Sequence, residues 1–355
     1  MTGPAPQKPT ADARKPGTPA PTVAVPEQTH VAREFKHKHP LIACRFDLKG
    51  RYVYASAEDG TVQRWDLETG KAAAMTAHES WVFAIAPHPD GATVLTGGGD
   101  GRLIWWRADG DAVKVTRKVE AHAGWIRSVA ISPDGKAVAT CGNDRRVRFW
   151  SFADGAKLFE LPGHARPVYR VAFDAPTKAF FSADLQGVVI EWDHRTGKEA
   201  RRFDAAKLYQ YNAGQQVDFG GVRDLAFSFD GKYLACGGLI NGENPLGAVS
   251  TPAVVLLERE SGKQVQLQRP REDIKGVIWG LRFHPSGFLI GASGGTGGGF
   301  LWFWKPDKAN EFFKFVLPGT ARDLDLHPDG LRLATAHFDG VVRISEMRPK
   351  ASAKA

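Results

Sequence analysis

Cysteine is scarce and scattered in this sequence. Cys44, Cys141 and Cys236 are the only three, and no two share a C-x-x-C spacing, which excludes a disulfide framework and a thiolate zinc site. Long hydrophobic runs are missing too. No stretch of about 18 consecutive apolar residues is present to cross a bilayer as a helix, and the N-terminus carries no apolar segment of the secretory kind, so the expected compartment is the cytoplasm. A phosphate-gripping loop is also lacking. The one glycine-rich stretch, GASGGTGGGF from Gly291 to Phe300, gives no G-x-G-x-x-G frame and no following lysine. It leads into LWFW, a strand-like run, rather than into a helix whose N-terminus would hold a phosphate.

What is abundant points to β-structure. Ten tryptophans, 21 phenylalanines and 39 glycines stand beside only three methionines, a balance that favours many short strands and tight turns over long helices. The 355 residues suffice for one large all-β domain. A formal charge of +8 favours acidic partners, whether protein, nucleic acid or lipid headgroup. Residues 1–29 hold seven of the 22 prolines and almost no large apolar side chain, which reads as a flexible extension despite the P-x-x-P at Pro6 and Pro9. Residues 348–355 form a short basic tail with Arg348, Lys350 and Lys354.

A repeat organises the rest. A turn recurs as FDLKG ending at Gly50, HPDG at Gly91, SPDG at Gly135, SFDG at Gly231, HPSG at Gly287 and HPDG at Gly330. A seventh copy, DAPT ending at Thr177, has lost its glycine. Successive spacings are 41 to 44 residues, apart from 54 and 56 on either side of Gly231. A period of about 40 to 45 residues is that of a four-stranded propeller blade. Each unit reads as strands a to d, with the recurring turn joining a to b. The last repeat ends after VVRISEM, its third strand, and VAREFK at 31–36 stands ahead of the first as an orphan fourth. The expected fold is thus all-β: a seven-bladed β-propeller of four-stranded antiparallel blades over residues 30–347, closed by the N-terminal strand.

The residues now resemble the WD-repeat family of β-propellers. Trp65-Asp66 and Trp192-Asp193 are W-D pairs, Trp106 and Trp150 hold the same position, and Gly163-His164 is a G-H pair. The resemblance implies a structural tetrad joining a histidine before strand a, a hydroxyl in b, an aspartate in the b-to-c turn and a tryptophan in c. It maps onto His78, Thr96, Asp100 and Trp106, and again onto His122, Thr140, Asp144 and Trp150. Repeat 4 keeps His164, Ser182 and Trp192 with Gln186 in the aspartate's place. Repeat 1 keeps His37, Asp59 and Trp65 with Ala55 for the hydroxyl, and repeats 5 to 7 lack most of the set.

Histidine, hydroxyl and carboxylate together invite a hydrolase reading, but a catalytic set is needed once and this one recurs at fixed spacing. Its expected role is to satisfy buried polar groups. His88, His284 and His327 share one turn position and read as turn residues. His37 and His39 have no acidic or thiol partner spaced to complete a metal site. No metal, cofactor or catalytic residue is expected.

The candidate binding residues lie in a column that varies between repeats. Eight residues before each turn glycine, or before Thr177, stand Ile42, Phe83, Arg127, Tyr169, Arg223, Trp279 and Arg322, next to a uniformly apolar column. The resemblance places the start of strand a at the mouth of the central channel, with Trp81 and Trp125 at the same end. Arginines and aromatics are the residues that dominate interface hot spots. The long segments at 204–220 and 239–252 are expected to emerge on the same face, beside the glycine-rich turn. The expectation is a non-catalytic scaffold, monomeric or a subunit of a complex, that binds an acidic peptide or protein segment at this mouth over blades 4 to 6. Two other readings compete with it. A metal-dependent channel enzyme of the lactonase type needs inward carboxylates, whereas this column is rich in arginine and poor in acid. Nucleic-acid binding draws on Arg145, Arg146 and Arg148 but on no recognised motif.

Overall fold

The computed structural model describes residues 23–174, 177–193, 196–244 and 249–350. Most of the expected N-terminal extension, the end of the basic tail and parts of DAPT and of the 239–252 segment lie outside them. Seven four-stranded antiparallel sheets follow one another, each in the order a-b-c-d. Their strands a are Leu41–Phe46, Val82–Pro87, Ile126–Ile131, Val168–Phe173, Asp224–Phe227, Val277–Phe283 and Ala321–Leu326. These strands touch from blade to blade all the way round, which closes the ring of a seven-bladed propeller.

The closure is the expected one. Strand Thr29–Lys36 pairs antiparallel with Val341–Met347 and becomes strand d of blade 7, opposite the rest of its blade in the sequence. It is anchored further out, where the Val25 N–H donates to the Met347 carbonyl and Pro26 is buried. Phe35 stacks on Trp65 of blade 1 at 5.7 Å between centroids, so the closing strand also joins the next interface.

The driving force lies between blades. A blade is a small sheet with two apolar faces, and each face is covered only by a neighbour. Every pair of adjacent blades shares a buried cluster. Leu95 and Trp105 of blade 2, for instance, meet Ile126, Val138 and Trp150 of blade 3. Leu41, Phe46 and Trp65 of blade 1 meet Phe35, Val342 and Ile344 of blade 7.

Polar ties reinforce the same interfaces. In the turns that carry them, His88, His284 and His327 each donate from Nε2 to the glycine carbonyl of the next blade's turn, Gly135, Gly330 and Gly50, at 2.7 to 2.8 Å. Their Nδ1 atoms accept backbone N–H groups of Asp90, Ser286 and Asp329 at 3.0 Å. They are turn residues that also link blades. The blade 4 turn is one residue longer than the others: Lys178 takes the left-handed φ of 60° and donates to Asp174, so it is Lys178, not Thr177, that stands for the missing glycine.

Three tetrads are complete, one more than expected. In blade 3 the Trp150 indole donates to Thr140 Oγ1 at 2.8 Å, Thr140 contacts His122 Nε2 at 2.7 Å, and His122 Nδ1 meets Asp144 at 2.9 Å. Blade 2 repeats this with Trp106, Thr96, His78 and Asp100. Blade 4 does so with Trp192, Ser182, His164 and Asp184. The aspartate there sits at the end of strand b, two residues ahead of Gln186, and also accepts the turn N–H groups of Gln186 and Val188. Blade 1 departs from expectation as well. With Ala55 in strand b, His37 instead contacts Thr61 Oγ1 at 3.1 Å, and Thr61 donates to Asp59. Blade 7 uses His337 within strand b, between the Thr335 hydroxyl at 2.7 Å and the Gly319 carbonyl at 2.9 Å.

GASGGTGGGF is a tight two-residue hairpin. It forms the end of strand b, Leu289–Gly295, and the start of strand c, Gly298–Trp304, joined by Thr296 and Gly297 alone. A Cβ at Gly294 would strike the Ala321 carbonyl and one at Gly299 the Gly319 carbonyl, so the missing side chains let this hairpin lie directly on the segment entering blade 7. The short connection also shifts the tryptophan position. Trp302, not Trp304, donates to a strand b hydroxyl, that of Ser293, at 2.8 Å.

Two outcomes test these contacts. Truncation F35A should cost about 3 kcal/mol of stability, read from the denaturant midpoint, because it empties the closing interface. Burial holds His337 down at about 4, against 6.5 ordinarily, so the histidine is neutral in the fold. The unfolded chain then binds the extra proton first, and stability contributed by His337 is full above pH 6.5 and lost as pH falls toward 4. The stability difference between wild type and H337Q should shrink by about 3 kcal/mol across that window, measured by denaturation at several pH values.

Candidate functional site

The mouth of the channel is built by a repeated backbone irregularity. In six blades strand a carries a β-bulge, and the bulged residues are Ile42, Phe83, Arg127, Tyr169, Trp279 and Arg322. In blade 5 Arg223 takes the place just ahead of the strand, its N–H donating to the Gly237 carbonyl. A bulge leaves its extra residue out of the ladder and re-aims its side chain. Here it turns the variable column into the channel, and the simple alternation of a strand would not have done so.

All eight sequence-predicted residues meet there. Trp81, Phe83, Trp125, Arg127, Tyr169, Arg223, Trp279 and Arg322 line one cavity of about 280 Å³, together with Ile42 and parts of the channel wall. Aromatic rings and guanidinium groups alternate across it. Arg127 lies 5.0 Å from the Phe83 ring, 4.5 Å from Trp125 and 5.1 Å from Tyr169. Arg223 follows at 4.6 Å from Tyr169 and 5.3 Å from Trp279. Phe83 and Trp125 stack at 4.9 Å, and Trp81 and Trp125 are the most exposed of the set. The ladder therefore spans blades 2 to 6, wider than the blades 4 to 6 expected.

The three arginines are not equivalent. Arg322 is paired with Glu58 at 2.5 Å and lies over the Phe338 ring. Arg127 donates to the neutral Asn143 amide oxygen at 2.8 Å, and among the described residues neither it nor Arg223 has a carboxylate partner. Burial, together with the like charge of Arg223, holds the Arg127 guanidinium below its ordinary range. The Arg223 Nε is buried without a hydrogen-bond acceptor. Two guanidinium groups thus share an aromatic cleft whose one lining carboxylate, Asp323, is already paired with Arg45, an arrangement that favours an incoming anion.

The long segments contribute paired strands beside this cleft. Tyr209–Asn212 pairs with Val217–Gly220. Strands Tyr233–Asn244 and Val249–Glu258 extend the b-to-c connection of blade 5. Phe219, Leu239 and Val277 bury one another, and Trp279 packs against them, so both strand pairs support one wall of the mouth.

Sequence reading missed what lies beneath. The channel is not poor in acid: Asp224, Asp323 and Asp325 follow the bulged column by one to three residues. Arg170 pairs with Asp224 at 2.6 Å, and Arg282 bridges Asp224 at 3.1 Å and Asp325 at 2.9 Å. Arg45 pairs with Asp323. The carboxylates also accept the backbone N–H of the next blade, Leu281 for Asp224, Cys44 for Asp323 and Phe46 for Asp325, each at 2.9 Å. Burial pushes Asp224 up, but Arg170 and Arg282 hold it below the usual carboxylate range. The pattern that could have revealed this belt is two charged columns: Arg170, Asp224 and Asp323 stand seven residues before Thr177, Gly231 and Gly330, and Arg45, Arg282 and Asp325 stand five before Gly50, Gly287 and Gly330.

Other candidates do not gather. Arg146 and Arg148 both pair with Glu160, and Arg148 also with Asp144, which engages two of the three arginines of the blade 3 cluster. Asp59 does approach His39, at 3.7 Å, an acidic neighbour that spacing alone did not show. Among the described residues, though, no group of three or more His, Cys, Asp or Glu is placed to hold a metal ion.

Belt and mouth should respond oppositely to substitution. D224N breaks two buried ion pairs and should cost about 3 to 5 kcal/mol. R223M removes a charge that has no partner and should leave the unfolding midpoint unchanged or higher.

Comparison with known proteins agrees with this architecture. The family described as "WD domain, G-beta repeat" matches residues 30–66, 71–107, 113–151 and 214–239. Telomerase protein component 1 of Mus musculus is 24% identical over 278 residues, 78% of this chain and 10% of that protein. Cilia- and flagella-associated protein 52 of Chlamydomonas reinhardtii is 29% identical over 89 residues, 25% of this chain and 14% of that protein. The chain therefore spans only a small part of the curated relatives it matches. Repeats matched in four places, on a closed ring of seven four-stranded blades, make this chain a member of the WD-repeat family.

Proposed function

We propose that this protein is a non-catalytic interaction scaffold that captures an acidic segment of a partner protein at the channel mouth. WD-repeat propellers in general mediate protein–protein interaction, and the coarse assignment rests on that membership. The observation that carries the finer one is the pair Arg127 and Arg223, held among Phe83, Trp125, Tyr169 and Trp279 without a carboxylate of their own. A carboxylate side chain entering the cleft supplies the missing counter-charge through charge-assisted hydrogen bonds. The rings supply rigid contact area around it, as hot-spot residues do. The exposed indoles of Trp81 and Trp125 extend the apolar contact along the segment.

The arrangement favours binding over chemistry, because the polar groups in the channel are consumed by one another in the belt. Association should be salt-sensitive, since the recognised groups are charged. In affinity capture followed by mass spectrometry, wild type should retain partners that R127E/R223E loses by at least tenfold, with circular dichroism showing both folded. The captured wild-type partners should share an acidic stretch. Equal capture by the two proteins would sink the reading. Adding R322E should matter less, because Arg322 already has Glu58.

A further inference from the structure

The channel has a second cavity, on the side of the a-to-b turns, of about 460 Å³. It exists because the inward column two places beyond the bulge-following residue is uneven. Blades 2 to 5 carry Ala86, Ala130, Ala172 and Ala226, whereas blades 1, 6 and 7 carry Arg45, Arg282 and Asp325. Of these, Ala130, Ala172 and Ala226 leave one half of the channel empty, and Ile131, Phe173, Phe227 and Phe283 complete its apolar wall. Phe229, 59% exposed, stands at its open rim.

The floor of this cavity presents guanidinium groups. Arg45, Arg170 and Arg282 line it, and Asp224, Asp323 and Asp325 do not. The reason is the orientation of the belt: the carboxylates turn toward the backbone N–H groups of the next blade, with Asp224 and Asp323 almost wholly buried and the half-buried Asp325 held by Arg282 and the Phe46 N–H, while the guanidinium side chains keep 13%, 18% and 21% of their surface. The bonds that hold Arg282 engage its Nε and Nη1, and the ion pair of Arg170 its Nε. Asp174 is the one carboxylate on the lining, and it is tied to Arg259 at 2.7 Å. An apolar pocket of this size closed at one end by guanidinium donors has the make-up of a small-molecule site.

We infer that this cavity binds a small amphipathic carboxylic acid, its apolar chain against the alanine and phenylalanine wall and its carboxylate on the Arg45, Arg170 and Arg282 floor. The hydrocarbon chain gains from leaving water, and the head group meets donors that are already fixed by the belt. The site faces the turn side of the ring, away from the mouth, so it stands whether or not the mouth captures acidic segments.

Octanoate is a suitable probe, with octan-1-ol and octylamine as head-group controls on wild-type protein. Calorimetric titration should show saturable binding of octanoate, at least tenfold weaker binding of the alcohol and none of the amine. A130L/A172L, which fills the empty half with two apolar side chains, should weaken octanoate at least tenfold. A photoreactive aliphatic diazirine carboxylate should label peptides that contain Phe173 or Phe227. Absence of saturable octanoate binding, equal affinity for all three head groups, or labelling confined to the mouth peptides would each overturn the inference. The head-group series and the labelling use unmodified protein, so they decide the matter even if A130L/A172L does not fold.

Discussion

A four-stranded blade with two apolar faces has no stable life alone, and everything in this structure follows from covering those faces in a circle. Each interface is shared, so none can be perfected independently of the next. The last blade must find its fourth strand at the far end of the chain, which makes Thr29–Lys36 as much a part of the core as any central strand. The ties between turns and the carboxylates that reach the next strand a run in the same circular direction. Burial supplies the larger energy, and the polar groups fix which neighbour is met and in what register.

That closed wall also decides where chemistry can be recognised. Groups within the belt neutralise one another: three arginines and three aspartates exchange ion pairs and satisfy backbone donors across blades. Above the belt, Arg127 and Arg223 stand outside this exchange, clasped by rings and, for Arg127, by the neutral Asn143 amide. A charge retained without its opposite is costly in a fold and useful in an interface. The contrast between the two layers separates side chains that hold the ring from side chains that meet a partner.

Much of this was legible in residue order because the repeat is written in turns. Glycine at one place in six turns, with tryptophan and histidine at fixed distances, fixes strand number and blade count before any coordinate is known. The mouth column was legible for the same reason, since counting back from a turn needs no knowledge of pairing. What stayed hidden depends on contacts across blades. Asp184 replaces the expected Gln186 two positions early, and His337 acts from inside a strand; neither obeys the spacing of blades 2 and 3. The belt escaped because its members come from blades 1, 4, 5, 6 and 7, and pairing among them is a property of the closed ring. The purpose of the glycine-rich stretch stayed hidden for a related reason: its glycines answer to the carbonyls of Gly319 and Ala321, which sequence does not place beside it.

The bulges carry a consequence for descent. The residue at each bulge makes no ladder pair of its own, so its identity is free of the register that holds the blade. Replacing one such side chain alters the lining of the mouth and leaves the hydrogen-bonded frame as it was. Ile, Phe, Arg, Tyr and Trp already occupy this one structural position within a single chain. A ring built in this way can exchange its recognition surface one blade at a time, and lineages can acquire new partners while keeping the same architecture.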